Sequence, residues 1–329
     1  MAGSRSCIRI CRNFLTRTRS NEGGTRQSVP PSLFPFPFCY DNCMPKSKLA
    51  KIQFCFPKFS GKNKKAFVDA LIRDVPLDKK IGYAGYSKRM HLRNDISWRF
   101  ANSNIREYRP LPNSKRKRIG KLILSILQKC HRKLPAPVFP LFVFIFPWLG
   151  PFDKNDRLMG RVTGFTPYNN TFHIFVSPSE FSSKSLRQTI AHEFNHAAFF
   201  HYHPLNPNNQ SSKQTIRDVL IWEGLAENFT KEITKAESPI ATALTEEKAV
   251  KAFHKLKPML DTWVKEKNDA YETIFFGGSG YKKWTGYSIG YHIVRIFRIA
   301  YPKKSWRKII MMNPRWIFDK SPFTKIEAQ

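Results

Sequence analysis

The feature that most restricts the fold of this chain is a pair of histidines, four residues apart, in His192-Glu193-Phe194-Asn195-His196. On an α-helix, side chains four residues apart lie on one face, so both imidazoles can contact a single ion. Apolar residues flank the pair and indicate a buried helix; they are Ile190, Ala191, Phe194, Ala197 and Ala198. Because unpaired polar groups are costly in a protein interior, His192, Glu193 and His196 together predict a metal site, with satisfied core polar groups as the alternative.

The residue types match zinc chemistry. Zinc takes imidazole and carboxylate ligands, and a catalytic site keeps one position for water. Glu193 lies about 100° around the helix from His192, where it can reach such a water without binding the ion. The spacing therefore predicts His192 and His196 as metal ligands and Glu193 as the general base.

A third ligand has to come from outside this pentapeptide. The metzincin pattern would need glycine at position 199 and histidine at position 202, but the chain has Phe199 and Tyr202, which excludes that class. His201 and His203 lie at the end of the predicted helix and are second-choice ligands.

Glu223 is the first-choice third ligand. It lies in Trp222-Glu223-Gly224-Leu225-Ala226-Glu227, on a helix that can return across the first one, and small residues follow it. Two histidines and one glutamate form a known catalytic zinc set. Glu227, one turn further, is an alternative ligand, or an acceptor that orients one of the histidines.

The two motifs together resemble the signature of gluzincin metallopeptidases. More narrowly, the chain is similar to a family catalogued as a predicted zinc-dependent protease of unknown function, over about residues 135–302. The similar segments are Thr189–His196, Glu223–Glu227, Gly160–Phe165 and Gly286–Tyr291. The resemblance implies a zincin-like (gluzincin) fold and peptide-bond hydrolysis. It also implies one zinc ion on His192, His196 and Glu223, with Glu193 as the base.

Catalysis at such a site also needs a hydrogen-bond donor for the oxyanion, opposite the base. Four side chains near the last predicted helix can supply it, namely Tyr281, Tyr287, Tyr291 and His292. Tyr287 is our choice as the catalytic donor, with simple aromatic packing as the alternative. Gly160–Phe165 is expected to form an edge strand beside the cleft, to which an extended peptide substrate can add. His173 is expected to be structural.

The hydrophobic periodicity predicts an α+β fold with a mainly helical C-terminal part, and the resemblance implies that a small sheet packs on the helix of His192. Helices are predicted near residues 62–75, 115–133, 185–202, 215–235, 245–267 and 286–301, and strands near 138–146, 158–165 and 171–176. We divide the chain into a disordered or untranslated segment 1–43, a basic and partly helical region 44–133, and a zinc metallopeptidase domain 134–329.

The net charge is +32, from 56 basic and 24 acidic residues. Residues 1–133 hold 30 of the basic and 7 of the acidic side chains. This half can approach nucleic acid or another anionic surface, and Lys115-Arg116-Lys117-Arg118 resembles a nucleic-acid address. A solvated first helical turn on a highly soluble protein is the alternative, because no recognisable nucleic-acid module accompanies the charge.

Targeting signals are sparse. The segment from Leu134 to Phe152 is uncharged but contains five prolines, whose missing backbone donors lipid cannot replace, so we expect no membrane span. A cytoplasmic location is predicted. The arginine-rich, acid-poor first twenty residues also fit an organellar transit segment, and Met44 is an alternative start.

Two other classes of function remain open from the sequence. One is a non-catalytic zinc-binding or chaperone-like protein that keeps the fold, although the intact Glu193 argues against it. The other is a basic nucleic-acid-associated protein, for which strongly salt-dependent binding would be expected.

Overall fold

The computed structural model describes residues 49–59, 61, 63–73 and 75, isolated positions from 93 to 103, and residues 105–135, 140–168, 170–203, 214–264 and 268–327. The predicted disordered or untranslated segment 1–43 lies outside the described residues. The division of the rest at residue 134 stays a prediction. Among the described helices, none combines the length and apolarity that crossing a membrane requires.

One mixed sheet forms a layer of the fold. Its strands are β1 (Ala50–Phe54), β2 (Leu141–Pro147), β3 (Val162–Tyr168) and β4 (Thr171–Val176), in the spatial order β1-β2-β4-β3. Strands β1 and β4 run parallel to β2, whereas β3 runs antiparallel to β4. The two inner strands are buried along their whole length, as their continuous apolar sequences require. Strand β3 is an edge strand, as predicted, but it runs from Val162 to Tyr168 and not over residues 160–165, because Gly160 and Arg161 form a turn.

Strand β1 corrects the predicted order of helices, then sheet, then helices. It precedes the first long helix and pairs in register with β2, Ala50 opposite Leu141. Lys51 and Gln53 make the segment half polar, which suits an edge strand but gives a weak apolar signal.

Helices make up most of the remaining described structure. They are α1 (Lys64–Arg73), α2 (Asn113–Lys133), α3 (Lys154–Leu158), α4 (Ser183–Tyr202), α5 (Ile216–Thr234), α6 (Glu246–Leu256), α7 (Asn268–Phe276), α8 (Thr285–Ala300), α9 (Trp306–Ile310) and α10 (Pro314–Lys320). The mixed α+β class is therefore confirmed. Helix α4 contacts β3, β4, α2 and α5.

The long predicted helix over 245–267 is wrong for residues 257–264, and its last three residues lie outside the described part of the chain. Helix α6 ends at Leu256, and a 3₁₀ turn, Lys257–Met259, follows. Pro258 has no backbone N–H and cannot continue the α-helical hydrogen bonds. The short helices α3, α7, α9 and α10 were not predicted, because a segment of five to nine residues shows too little periodicity.

Helices α5 and α8 touch backbone to backbone. A Cβ at Gly224 would lie 2.1 Å from the carbonyl oxygen of Gly290, and a Cβ at Gly290 would lie 2.1 Å from that of Leu220. This close approach is possible because neither glycine has a side chain. The neighbour of Gly224 is α8, which leaves the opposite side of α5 free to face α4.

Candidate metal centre

Helix α4 carries the first half of the site. It begins at Ser183, where the Ser182 side chain accepts a hydrogen bond from the backbone N–H of Ser185, which satisfies one of the free donors of the first turn. Leu186, Ile190 and Phe194 are fully buried. This packing fixes the rotation of the helix and so the direction of its polar residues.

Helix α5 carries the second half. Thr215 and Asp218 form a reciprocal capping box at its start, which defines where the helix begins. Glu223 and Glu227 follow at a spacing of one turn and are both buried. Two buried carboxylates on one helix need positive partners nearby.

Those partners are the histidines of α4. Nε2 of His192 lies 3.2 Å from Oε2 of Glu223, and Nε2 of His196 lies 3.4 Å from the same oxygen. The two Nε2 atoms lie 2.8 Å apart. All three atoms fall within 4.8 Å of one another. The structure thus brings together the three residues that the sequence predicted as ligands.

The geometry of this trio suits a zinc ion. Tetrahedral ligands at about 2.0–2.1 Å from zinc lie about 3.3–3.4 Å from one another. Both histidine–carboxylate distances agree with this spacing, while the two imidazoles would have to separate by a few tenths of an ångström. Oε2 of Glu223 is buried and receives no well-formed hydrogen bond from the described residues, as expected for an oxygen whose partner is a cation.

Glu227 lies behind the trio. Its Oε1 lies 2.8 Å from Nδ1 of His192, on the side of the ring opposite Nε2. Ser238 donates a hydrogen bond to the other oxygen of Glu227 and accepts one from the backbone N–H of Ala241. Of the two roles considered for Glu227, this geometry favours orienting His192 over ligating the ion.

The electrostatics of the trio favour a positive charge at its centre. Burial lowers the pKa of His192, but the carboxylates of Glu223 and Glu227 outweigh it, and the net pKa is well above the usual value. Burial raises the pKa of Glu223, but His196 and His192 outweigh it and lower the net pKa. A proton therefore binds tightly where a metal ion would also be attracted, so the two compete.

Glu193 faces the edge strand. Oγ1 of Thr166 lies 2.8 Å from Oε2 of Glu193 and 2.9 Å from its carbonyl oxygen. Burial raises the pKa of Glu193, although His192, His196 and the Thr166 hydrogen bond act in the opposite direction. A buried carboxylate with a raised pKa is a competent proton acceptor near neutral pH.

The remaining candidates lie outside the trio. Nε2 of His203 contacts the carbonyl oxygen of Ile310 at 2.8 Å, and His201 packs against its neighbour Tyr202. Among the described residues, the group that can hold an ion contains neither. His173 packs its ring against several phenylalanines in the sheet, as expected for a structural residue; they are Phe144, Phe146 and Phe165.

The alternatives for the oxyanion donor differ in their surroundings. The Tyr291 hydroxyl donates to Oε1 of Glu237 at 2.6 Å and accepts from Lys231, and a ring nitrogen of His292 contacts the carbonyl oxygen of Leu244. Tyr287 is buried with its ring against Phe275 and Phe276. Its catalytic role stays a prediction.

Thr166 and Ser238 are the site neighbours that the sequence did not reveal. Thr166 is two residues after Gly164, on the same face of β3. A glycine within a strand is a weak indication that another element packs closely on that face. Ser238 lies in the segment after α5, and no spacing rule connects it to Glu227. Both contacts exist only once the chain has folded.

Comparison with known proteins identifies a family to which the chain is similar. Residues 119–319 match the family model described as Predicted Zn-dependent protease (DUF2268). The match confirms the resemblance inferred from the two motifs, and it begins before and ends after the expected 135–302.

The chain is also similar to the Uncharacterized protein YjfC of Bacillus subtilis (strain 168), with 28% identity over 152 residues. The similarity covers 43% of this chain and 49% of that protein, so the chain spans about half the length of this curated relative. No solved structure matches the chain. The family model covers well over half of the sequence, and the chain therefore belongs to the family of predicted Zn-dependent proteases.

Proposed function

We propose that this protein is a zinc-dependent metallopeptidase with a zincin-like, gluzincin-type fold, which hydrolyses peptide bonds with Glu193 as the general base. One observation carries the proposal. Nε2 of His192, Nε2 of His196 and Oε2 of Glu223 converge within 4.8 Å, while the buried carboxylate of Glu193 lies beside them and outside the trio.

His192, His196 and Glu223 would hold one zinc ion. When bound, the ion would supply a Lewis acid that polarises the substrate carbonyl and acidifies water. The protein holds the three ligands rigidly, since α4 and α5 are packed against each other and Glu227 fixes the far side of the His192 ring. Side chains held in this way would already be oriented to bind the ion.

Glu193 moves the proton. Its Oε2 is engaged by Thr166, which leaves Oε1 to accept the proton of the attacking water. The same oxygen then delivers that proton to the nitrogen of the leaving amine. Burial favours the protonated carboxyl of Glu193. This form, which exists between the two proton transfers, is therefore accessible near neutral pH.

The edge strand β3 is the proposed docking site for the substrate. It pairs with β4 on one side only, and among the described strands none covers its other side. The free backbone groups of such an edge can bind an extended peptide as an added strand. Because Thr166 of this strand contacts Glu193, a peptide bound there passes close to the base. Tyr287 is the proposed donor to the oxyanion.

Metal analysis combined with casein hydrolysis tests the proposal. The purified wild type should contain about one zinc ion per chain and hydrolyse casein, and chelation should abolish the activity. Glu193→Gln should keep its zinc and lose activity by roughly 10²-fold or more, because the amide cannot accept the proton. A zinc-free wild type would contradict the site, and a zinc-loaded, fully active Glu193→Gln would contradict the mechanism.

A further inference from the structure

The first turns of α2 and α4 lie side by side on the protein surface. Nζ of Lys115 donates to the carbonyl oxygens of Pro178 and Ser179, at 3.0 and 3.1 Å. One turn along α2, Nη2 of Arg118 lies 3.2 Å from Oγ of Ser183, the first residue of α4. The starts of the two helices therefore form one continuous surface.

This surface carries a cluster of exposed cationic side chains, which we call the basic patch. Its members are Lys117, Arg118, Lys121, Lys184 and Arg187. None of them forms an ion pair with the described residues. Lys133, at the far end of α2, does form one, with Glu232. Helix α2 contains no acidic residue, and the nearby Glu180 is paired with Arg161. The charge of the patch is therefore not neutralised within the described structure.

The patch does not stabilise the helices that carry it. The N-terminus of a helix favours acidic side chains, because the aligned peptide dipoles place positive charge there. Neither α2 nor α4 has an acidic residue in its first turn, and α2 also lacks a side-chain cap. Packing holds α2 in place instead, through its buried apolar face of Ile119, Ile123, Ile126 and Leu127. Lys184 opposes the dipole in the first turn of α4, and Lys117 and Lys121, four residues apart on α2, repel each other. The patch is nevertheless held on a rigid support.

We propose that the basic patch binds the phosphate backbone of nucleic acid without regard to sequence. A helix that inserts into a lipid surface presents exposed apolar residues, but Leu122 and Leu124 of α2 are half-buried and pack on the core. Tight protein–protein interfaces are usually built around buried aromatic or aliphatic side chains, and the exposed positions of α2 are all polar or charged. Fixed cations about 6 Å apart along a helix suit a polymer that carries a charge every few ångströms.

Binding of a fluorescently labelled, mixed-sequence DNA duplex to the full chain, measured by anisotropy over a series of KCl concentrations, tests the proposal. If the five side chains neutralise five phosphates, the slope of log K against log[KCl] should be about −4.5. The variant Lys117→Gln/Arg118→Gln/Lys121→Gln should have a slope less steep by about 2.7, and it should bind roughly a hundredfold more weakly at 0.1 M KCl.

The control variant Lys303→Gln/Lys308→Gln/Lys320→Gln removes the same charge from exposed positions near the C-terminus, and it should bind the duplex like the wild type. Equal losses in both variants would show a nonspecific effect of net charge, and wild-type binding by the patch variant would exclude the patch. Wild-type protein that binds phosphatidylserine vesicles but not the duplex would also overturn the proposal. The zinc content of the patch variant should be unchanged, which separates this result from a failure of the proposed peptidase function.

Discussion

The hydroxyl of Thr166, on the edge strand, contacts two oxygen atoms of Glu193, on helix α4. Oγ1 of Thr166 lies 2.8 Å from the carboxylate Oε2 and 2.9 Å from the carbonyl oxygen of Glu193, and a hydroxyl can donate to only one acceptor at a time. Gly164 makes this approach possible, because a Cβ there would lie 2.8 Å from Cγ2 of Thr189 and 3.1 Å from Cγ of Glu193. The strand therefore positions the carboxylate.

Removing the Thr166 hydroxyl should impair the chemical step. Thr166→Val keeps the shape of the side chain, so we expect kcat to fall by about 10- to 100-fold, the value of a hydrogen bond to a charged group, with KM nearly unchanged. Steady-state kinetics on a fluorogenic peptide measures both constants. Thr166→Ser retains the hydroxyl and should recover most of kcat. Equal losses in the two variants would indicate that Thr166 only packs.

The contact between α5 and α8 should not tolerate a methyl group. In Gly224→Ala, the new Cβ would meet the carbonyl oxygen of Gly290 at 2.1 Å, and the two helices would have to separate. We expect a loss of about 3 kcal/mol in the free energy of unfolding, at the upper end for overpacking. Urea denaturation of the two proteins measures this difference.

Gly120→Ala is the matched control for that substitution. Gly120 lies within α2, and a Cβ there would meet nothing within 4 Å. Alanine should raise the free energy of unfolding by about 0.5–1 kcal/mol, because it restricts the unfolded chain and favours a helix. Similar stabilisation in both variants would mean that helix propensity, and not the contact with Gly290, governs the effect at Gly224.

The parts of the site that the sequence predicted depend on spacing within a helix. His192 and His196 share a face of α4 because they are four residues apart, and Glu223 was assigned from its own short motif. The match to the family confirms the resemblance, which implied the same ligand set. Local periodicity was sufficient to predict that these side chains converge, because each helix presents its polar residues on one face whatever lies opposite.

The parts that could not be predicted depend on contacts between distant segments. Pairing of β1 with β2 joins Ala50 to Leu141, and the half-polar strand gives no sign of its partner. Thr166 and Glu193 are 27 residues apart in the sequence. Ser238, which contacts Glu227, lies outside the helix that carries Glu227. Such pairings depend on the packing of the whole core, and local sequence patterns carry no information about it.

Glu227 should influence zinc affinity through His192. Glu227→Gln weakens the acceptor opposite Nδ1 of His192, so we expect zinc to bind about 10- to 100-fold more weakly. Competition with a chelating dye measures the affinity. Glu223→Gln should be more severe, because it alters a ligand, and Glu247→Gln, at an exposed ion pair with Lys251, should have no effect. A larger loss of zinc affinity in Glu227→Gln than in Glu223→Gln would identify Glu227 as the third ligand.

Glu232 connects four helices through its carboxylate. Nζ of Lys133 lies 2.7 Å from Oε1, Nη2 of Arg298 lies 2.7 Å from Oε2, and Nε1 of Trp306 donates to Oε2 at 2.8 Å. Burial raises the pKa of Glu232, but these three partners outweigh it and lower the pKa to about 2. The ionised form is therefore favoured in the folded protein, which links the stability of this junction to pH.

The direction of this pKa shift predicts that the Glu232 junction loses stability at acidic pH. Because the folded pKa of Glu232 lies below the unfolded value of about 4.3, the contribution is complete above that pH and is lost as the pH falls towards 2. Solvent screening of this partly exposed carboxylate limits the contribution to about 1–2 kcal/mol. Urea unfolding of wild type and Glu232→Gln, both with chelator, should show this difference at pH 7 and almost none near pH 2. A difference that stays constant with pH would mean that Glu232 stabilises the junction by packing alone.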